Sequence, residues 1–262
     1  MRNYKALFLD IDGTILLPSH TIQPSTIEAV KQVKTKGIEV FLATGRPLHE
    51  IDWIAKVLDV HSYIGYNGAY ASIKNDVIVN KAIPKQVVDH YYHVSKKLGH
   101  EMVLYTADKN LFTSLQAKMV QDFIGYFDLK KNDLFEPNRT QAILGITIMG
   151  ATREDLKLYE TKEPIYFSQV NVEGLTDNYD VIRKNVNKGS AIQQVLESLS
   201  IPTESAIAFG DGMNDKQMLQ VVGESFAMGN AHPELFDFAK HRTTSVVEDG
   251  IFNGLKSLSI IP

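Results

Sequence analysis

Cysteine is absent from the 262 residues, which excludes disulfide bridges, thiolate metal sites and cysteine nucleophiles. No apolar run approaches the roughly 20 residues that span a bilayer. There is no basic excess either: 27 Lys and Arg stand against 31 Asp and Glu, a net charge of −4, so nothing points to a nucleic-acid surface. Internal repeats and low-complexity tracts are missing. The opening Met1-Arg2-Asn3-Tyr4-Lys5 carries no signal-peptide pattern and is expected to lead straight into a first strand. These absences together predict a soluble cytoplasmic protein that meets neither membrane nor nucleic acid. The length allows one large domain or two smaller ones, with enough core to need no covalent staples.

What is present is a β/α rhythm, interrupted once. Ala6–Leu9 reads as a buried strand. Pro24 to Lys36 reads as a helix, with Ile27, Val30 and Val33 at three-residue spacing and Gly37 as its stop. Ile38–Ala43 reads as a strand, Leu48–Leu58 as a helix opening after Pro47, and Tyr63–Tyr66 as a third strand. The rhythm returns late, with a helix over Gly189–Leu199, a strand over Ala206–Phe209, a helix over Lys216–Val222, and short strands over Ser225–Met228 and Arg242–Ser245. Such alternation predicts a parallel sheet covered on both faces. Between them, Val77–Ala82, Glu101–Thr106 and Ala142–Met149 read as strands, the last two on an antiparallel sheet, and Lys85–Leu98 as a helix. The expected fold class is therefore α/β: a Rossmann-like three-layer core over residues 1–82 and 184–262, with an α+β domain inserted over residues 83–183. Trp53, Ile54 and Val57 are expected in the core, and His90 and His93 on a solvated helix face.

Chemistry concentrates at the ends of the core strands. Leu7-Phe8-Leu9-Asp10-Ile11-Asp12-Gly13-Thr14 sets two carboxylates two residues apart, and alternate residues of an extended segment point the same way. Two like charges 4 Å apart near a surface repel by about 4 kcal/mol. A divalent cation removes that penalty, and carboxylate oxygens suit Mg²⁺. The segment fits a metal-assisted phosphoryl-transfer site, and it equally fits a solvated Asp-Gly turn. Thr44-Gly45-Arg46 follows the second strand, where a hydroxyl and free N–H groups suit phosphate oxygens or merely cap a turn. Lys188 could supply a positive charge to a phosphoryl group or lie on the surface. Asp211-Gly212-Met213-Asn214-Asp215 could ligate a hard cation or form an Asx turn before the helix at Lys216. All four segments fall at the carboxyl ends of strands or beside them, the edge where open parallel sheets bind ligands.

This set of motifs resembles the haloacid-dehalogenase-like superfamily of phosphatases. Within it, the chain looks like the Cof-type branch, which carries a large α/β (type IIB) cap inserted between the second and third motifs. The matching segments are Asp10-Ile11-Asp12-Gly13-Thr14, Ala43-Thr44-Gly45-Arg46, Asn187-Lys188-Gly189 and Gly210-Asp211-Gly212-Met213-Asn214-Asp215. Tyr66-Asn67-Gly68-Ala69, Met228-Gly229-Asn230-Ala231 and Glu248-Asp249-Gly250-Ile251 agree as well. The resemblance implies that Asp10 is the nucleophile and Asp12 the acid and base. Thr44, Gly45, Arg46, Lys188 and Asn214 would bind the phosphoryl group. Mg²⁺ would be held by Asp10, the Asp12 backbone carbonyl and Asp211, with Asp215 ligating it or supporting the loop. The implied reaction is Mg²⁺-dependent hydrolysis of a small phosphorylated metabolite through an aspartyl-phosphate. A phosphomutase, or a non-catalytic phosphate-binding regulator, is the alternative. The inserted domain is expected to select the substrate by closing on hinges near Ala82-Ile83-Pro84 and Arg183-Lys184-Asn185.

Overall fold

Ala6–Leu9 (β1) has no exposed residue, and an unbroken apolar strand needs cover on both faces. The computed structural model, which describes residues 3–74, 76–170 and 172–262, supplies it. Met1 and Arg2 of the expected lead-in lie outside the described residues. The chain divides into two compact units: Met1–Arg46, Ile51–Asn80 and Asn187–Pro262 form one, and Pro47–Glu50 with Lys81–Val186 form the other. The first unit begins with β1, β2 (Glu39–Ala43), β3 (Ser62–Gly65), β4 (Tyr70–Ile73) and β5 (Asp76–Asn80). The second carries β6 (Glu101–Tyr105), β7 (Asn110–Phe112), β8 (Asn132–Leu134), β9 (Gly145–Met149), β10 (Ile165–Gln169) and β11 (Tyr179–Arg183). The chain then returns to the first for β12 (Ala206–Gly210), β13 (Glu224–Ala227) and β14 (His241–Arg242).

In the first unit, eight strands run in the order β14-β13-β12-β1-β2-β3-β4-β5. From β14 to β3 every pairing is parallel, and β4 and β5 extend the sheet antiparallel. Helix α1 (Pro24–Thr35) follows β1 and α2 (Asp52–Leu58) lies between β2 and β3, and α5 (Lys188–Ser198), α6 (Lys216–Val221) and α7 (Gly250–Ser257) belong to the later segment. On one face, Phe8, Phe41 and Ala208 share a core with Ile192 and Val195 of α5 and Met218 of α6. On the other, α7 lies so close to Phe209 that a Cβ at Gly254 would come within 2.4 Å of its ring. This is a three-layer α/β arrangement with β1 at its centre.

The second unit has a six-stranded sheet, order β10-β11-β9-β6-β7-β8, antiparallel except where β7 meets β8. Helix α3 (Lys85–Leu98) contributes Val87, Val88 and Tyr91 to one core. Helix α4 (Lys118–Phe127) contributes Val120 and Phe123 to another. Among the described residues no helix is long and apolar enough to cross a membrane.

Three expectations need correction. The helix over Leu48–Leu58 is broken: Leu48–Glu50 is a single 3₁₀ turn, and α2 starts only at Asp52. The cause is a buried polar network, in which Asn110 Oδ1 accepts from His49 Nε2 at 2.9 Å and Asn110 Nδ2 donates to Glu50 Oε1 at 2.8 Å. That network places Pro47–Glu50 with the second unit, inside the range expected for the core. Trp53 and Val57 are exposed, at 42% and 45%, although Ile54 is buried. Four residues apart, they share the helix face opposite Ala55 and Leu58. The last strand is only His241–Arg242, because Thr243 and Thr244 turn their hydroxyls onto the carbonyls of Gly250 and Glu248. His90 and His93 bond to the carbonyls of Leu158 and Asp89.

Candidate active site

The carboxyl ends of β1, β2 and β12 and the start of α5 bring the sequence candidates together. β1 ends at Asp10, whose N–H still bonds to Phe209 O at 3.1 Å. The chain then turns on itself, with the N–H groups of Thr14, Ile15 and Leu16 all reaching Ile11 O. Gly13 makes the turn possible. Its φ is +79°, and a Cβ there would stand 2.1 Å from Asp211 Oδ2. A Gly13→Ala variant should therefore lose about 1–3 kcal/mol, from backbone strain and displacement of Asp211. Denaturant unfolding measures it, and wild-type stability in that variant would refute the packing argument.

Lys188 opens α5, whose first turn is fixed by Asn187 accepting from Ser190 N at 2.9 Å. Its side chain is fully buried. Nζ donates to Asp10 Oδ1 at 2.5 Å and to Asp215 Oδ1 at 2.6 Å. The surface-lysine reading is thereby excluded. Asp215, also fully buried, uses its other oxygen to accept the N–H groups of Asp211 and Gly212, both at 3.0 Å. Both its oxygens are occupied, so it braces the loop that presents Asp211. The bonds that Thr14 Oγ1 and Asn230 Nδ2 give Asp211 are long, at 3.5 Å and 3.4 Å, and its carboxyl also meets that of Asp10.

Electrostatics show what this arrangement lacks. Carboxylate oxygens of Asp10, Asp211 and Asp215 lie within 4.8 Å of one another. Three carboxylates face one ammonium. Burial, then the Asp215 charge, push Asp10 well above the usual carboxylate range, although Lys188 pulls it down. The same two causes raise Asp211 to about 6. Burial by itself would make Lys188 easier to deprotonate, but the charges of Asp10 and Asp215 outweigh it and hold it protonated. With all three carboxylates ionised, two negative charges are left uncompensated, which is the charge a divalent cation would neutralise, and the oxygen donors are of the kind Mg²⁺ prefers. Asp10 and Asp211 fit such an ion directly.

Asp12 has a different environment from Asp10. It is exposed, and Arg46 holds it through two parallel bonds, Nε to Oδ2 at 2.8 Å and Nη2 to Oδ1 at 2.5 Å. Its side chain therefore stands outside the carboxylate cluster. Beside it a cleft of about 440 Å³ runs between Gly13, Leu16, Leu17, Asn230 and Val246. Thr44 is buried. Its Oγ1 accepts the Arg46 N–H at 3.0 Å, the capped turn that the sequence also allowed. Asn214 donates to Asn67 Oδ1 at 3.2 Å.

Two residues that the sequence placed in matching segments without a role join the site. Asn230 Nδ2 donates to Gly13 O at 2.8 Å, and its Oδ1 accepts from Val246 N at 2.8 Å. It ties the first turn to the loop after β14. Asn67 meets Asn214 from the end of β3. Both asparagines adjoin a glycine after a strand, in Asn67-Gly68 and Gly229-Asn230, and that local turn chemistry was the available signal.

Residues 7–255 match the family described as haloacid dehalogenase-like hydrolase. A protein of Bacillus subtilis (strain 168) named "Putative phosphatase YkrA" is 32% identical over 260 residues, covering 98% of each chain. The HMP-PP phosphatase of Escherichia coli O8 (strain IAI1) is 28% identical, over 86% of this chain and 84% of that protein. Among solved structures, that of the HAD subclass IIB sugar phosphatase BT4131 is 28% identical. It aligns with a TM-score of 0.79 over 98% of this chain and 100% of that one.

Proposed function

This chain belongs to the haloacid dehalogenase-like hydrolases and is a phosphatase of that family, and from that premise we propose that it hydrolyses small phosphorylated metabolites through a phosphoaspartate on Asp10, with Mg²⁺ bound. The observation that carries the reading is the trio Asp10, Asp211 and Asp215 around one buried ammonium. Such a site repels a phosphate dianion until a cation is present.

The residues divide the work as follows. An Asp10 oxygen attacks phosphorus, and the bond from phosphorus to the leaving oxygen breaks. Asp12 gives that oxygen its proton, then takes a proton from the water that attacks the phosphoaspartate. Phosphate leaves and Asp10 is restored. Thr44 Oγ1–H, the N–H of Gly45, Arg46, Lys188 and Asn214 hold the phosphoryl oxygens, since phosphoryl transfer needs positioning and charge neutralisation above all. Asp10, the Asp12 carbonyl and Asp211 would hold Mg²⁺, whose contribution when bound is charge neutralisation. Asp215 supports their loop.

Relatives of similar identity act on different substrates by name, an HMP-PP phosphatase and a sugar phosphatase. We therefore leave the leaving group open between sugar, nucleotide and cofactor phosphates, and assign its selection to the inserted residues 83–183. The cytoplasm, where such metabolites are made, is the compartment we propose.

The test is metal dependence. Phosphate release from a simple ester should stop on chelation and return with Mg²⁺; activity that survives thorough EDTA treatment would sink the proposal. Stability should report the same site. In metal-free protein the folded state holds a proton on Asp211 that the unfolded chain releases above the usual carboxylate range. Folded-state stability should therefore fall as pH rises from about 4 to 6, by about 2 kcal/mol, discounted for solvent access. Mg²⁺ at a hundredfold its dissociation constant should add about 3 kcal/mol once Asp211 has ionised. Thermal melts across pH, with and without Mg²⁺, measure both. A flat metal-free profile with no Mg²⁺ shift would contradict the metal assignment.

A further inference from the structure

Asn67 stands in a turn that local preference does not explain. Tyr66 and Asn67 both have left-handed backbones, with φ of 53° and 52°. Two consecutive non-glycine residues in that region persist only where their surroundings hold them. Here the holding bonds run to the phosphate-binding loop: Asn67 N–H donates to Thr44 O at 3.1 Å and Tyr66 N–H to Arg46 O at 3.4 Å.

The result is a particular placement of the Asn67 amide. It lies directly over Gly45, where a Cβ would come within 3.0 Å of Oδ1 and 3.1 Å of Nδ2. Oδ1 accepts from Asn214 Nδ2 at 3.2 Å. Nδ2 donates to no group among the described residues. Asn67 is only half-buried. A strained turn thus carries two unpaired N–H donors to a point between Thr44-Gly45-Arg46 and the Asp211–Asp215 loop. Amide donors suit an anion and repel a cation, so this residue belongs to the phosphoryl group rather than to the metal.

We propose that Asn67 is a ligand of the transferring phosphoryl group, its Nδ2 donating to a phosphoryl oxygen while its Oδ1 holds Asn214 in place. The proposal rests on the reading that the phosphoryl group binds at Thr44, Gly45 and Asn214. It also gives Gly45 a reason: any side chain there would displace the amide.

The deciding variant is Asn67→Gly. Glycine adopts the left-handed backbone without strain, so the turn survives and only the amide is lost. We expect the melting temperature to equal or exceed that of wild type. The dissociation constant for inorganic phosphate, measured by calorimetry with Mg²⁺ present, should rise at least tenfold, and kcat/KM should fall by a similar factor. Asn67→Asp should do worse, since its carboxylate still accepts from Asn214 but repels the dianion. If Asn67→Gly binds phosphate within twofold of wild type, Asn67 is a turn residue only and the proposal fails. The same follows if wild type binds no phosphate. An Asp10→Asn variant separates the underlying reading. Retained turnover there refutes the covalent route and leaves a phosphate-affinity loss at Asn67 intact as evidence. Lost turnover with unchanged phosphate binding in Asn67→Gly refutes this proposal alone.

Discussion

An Asp10→Asn variant is expected to fold as wild type does and to lose turnover by roughly a thousandfold or more, the scale seen when a covalent nucleophile is removed. The amide keeps the shape of the carboxylate, and its oxygen can still accept from Lys188, which now donates at 2.5 Å. What disappears is the anionic oxygen that attacks phosphorus. Stability should hold or rise in the metal-free protein, because Asp10 is repelled by Asp215 and Asp211, and one of those charges is gone. The Mg²⁺-induced rise in melting temperature should shrink at the same time, since a ligand has been lost. Rapid acid quenching during turnover gives an independent reading: wild type should carry acid-stable protein-bound phosphate and the variant none. A folded variant that turns over at the wild-type rate would rule out the covalent route.

The fold was legible where the apolar pattern was one-sided. β1, with no polar residue, and α3, with its periodic Val87, Val88 and Tyr91, are read directly from spacing. The exposed strands were not. Ile165–Gln169 mixes half-buried and exposed residues, as an edge strand of a sheet does, and such a pattern resembles a loop. The break before α2 was hidden for a different reason. His49 and Glu50 depart from the helix to meet Asn110, a partner 60 residues away or more, and periodicity cannot register a distant polar contact.

The candidate site divides in the same way. Asp10 and Asp211 announce themselves by type and spacing. The placement of Lys188 does not, because its burial depends on Asp10, 178 residues away, and Asp215, 27 residues away. Nothing local distinguishes it from a surface lysine. Equally, the spacing of Asp10 and Asp12 suggested two carboxylates sharing one surrounding, yet Arg46 from the next strand end holds Asp12 apart. Residue types were visible in the sequence, while charge balance came only from the fold.

Lys188 carries the largest expected stability effect for that reason. A Lys188→Met variant keeps the length of the side chain and removes its charge. Two buried carboxylates, Asp10 and Asp215, then lose the one cation they share among the described residues. Breaking a buried ion pair from one side costs about 3–5 kcal/mol, a large part of a typical 5–15 kcal/mol total. The pH dependence has a definite sign. In wild type the Lys188 contribution is present at every pH below the ordinary lysine range and is lost only above it, because its folded-state proton is held more tightly. In the variant the orphaned carboxylates stay buried only by taking up protons. The folded state then binds more protons than the unfolded chain, and stability must fall as pH rises. Denaturant unfolding at pH 5 and pH 8 should show the gap to wild type widening at the higher value. Adding Asp215→Asn should recover much of the loss, since the new amide oxygen can still accept from Asp211 and Gly212 while one stranded charge is removed. Turnover should stay absent in the double variant, which lacks the Lys188 charge. If Lys188→Met is as stable as wild type at pH 8, the buried ammonium is not what holds these carboxylates together. If the double variant is as unstable as the single one, the loss comes from packing rather than charge.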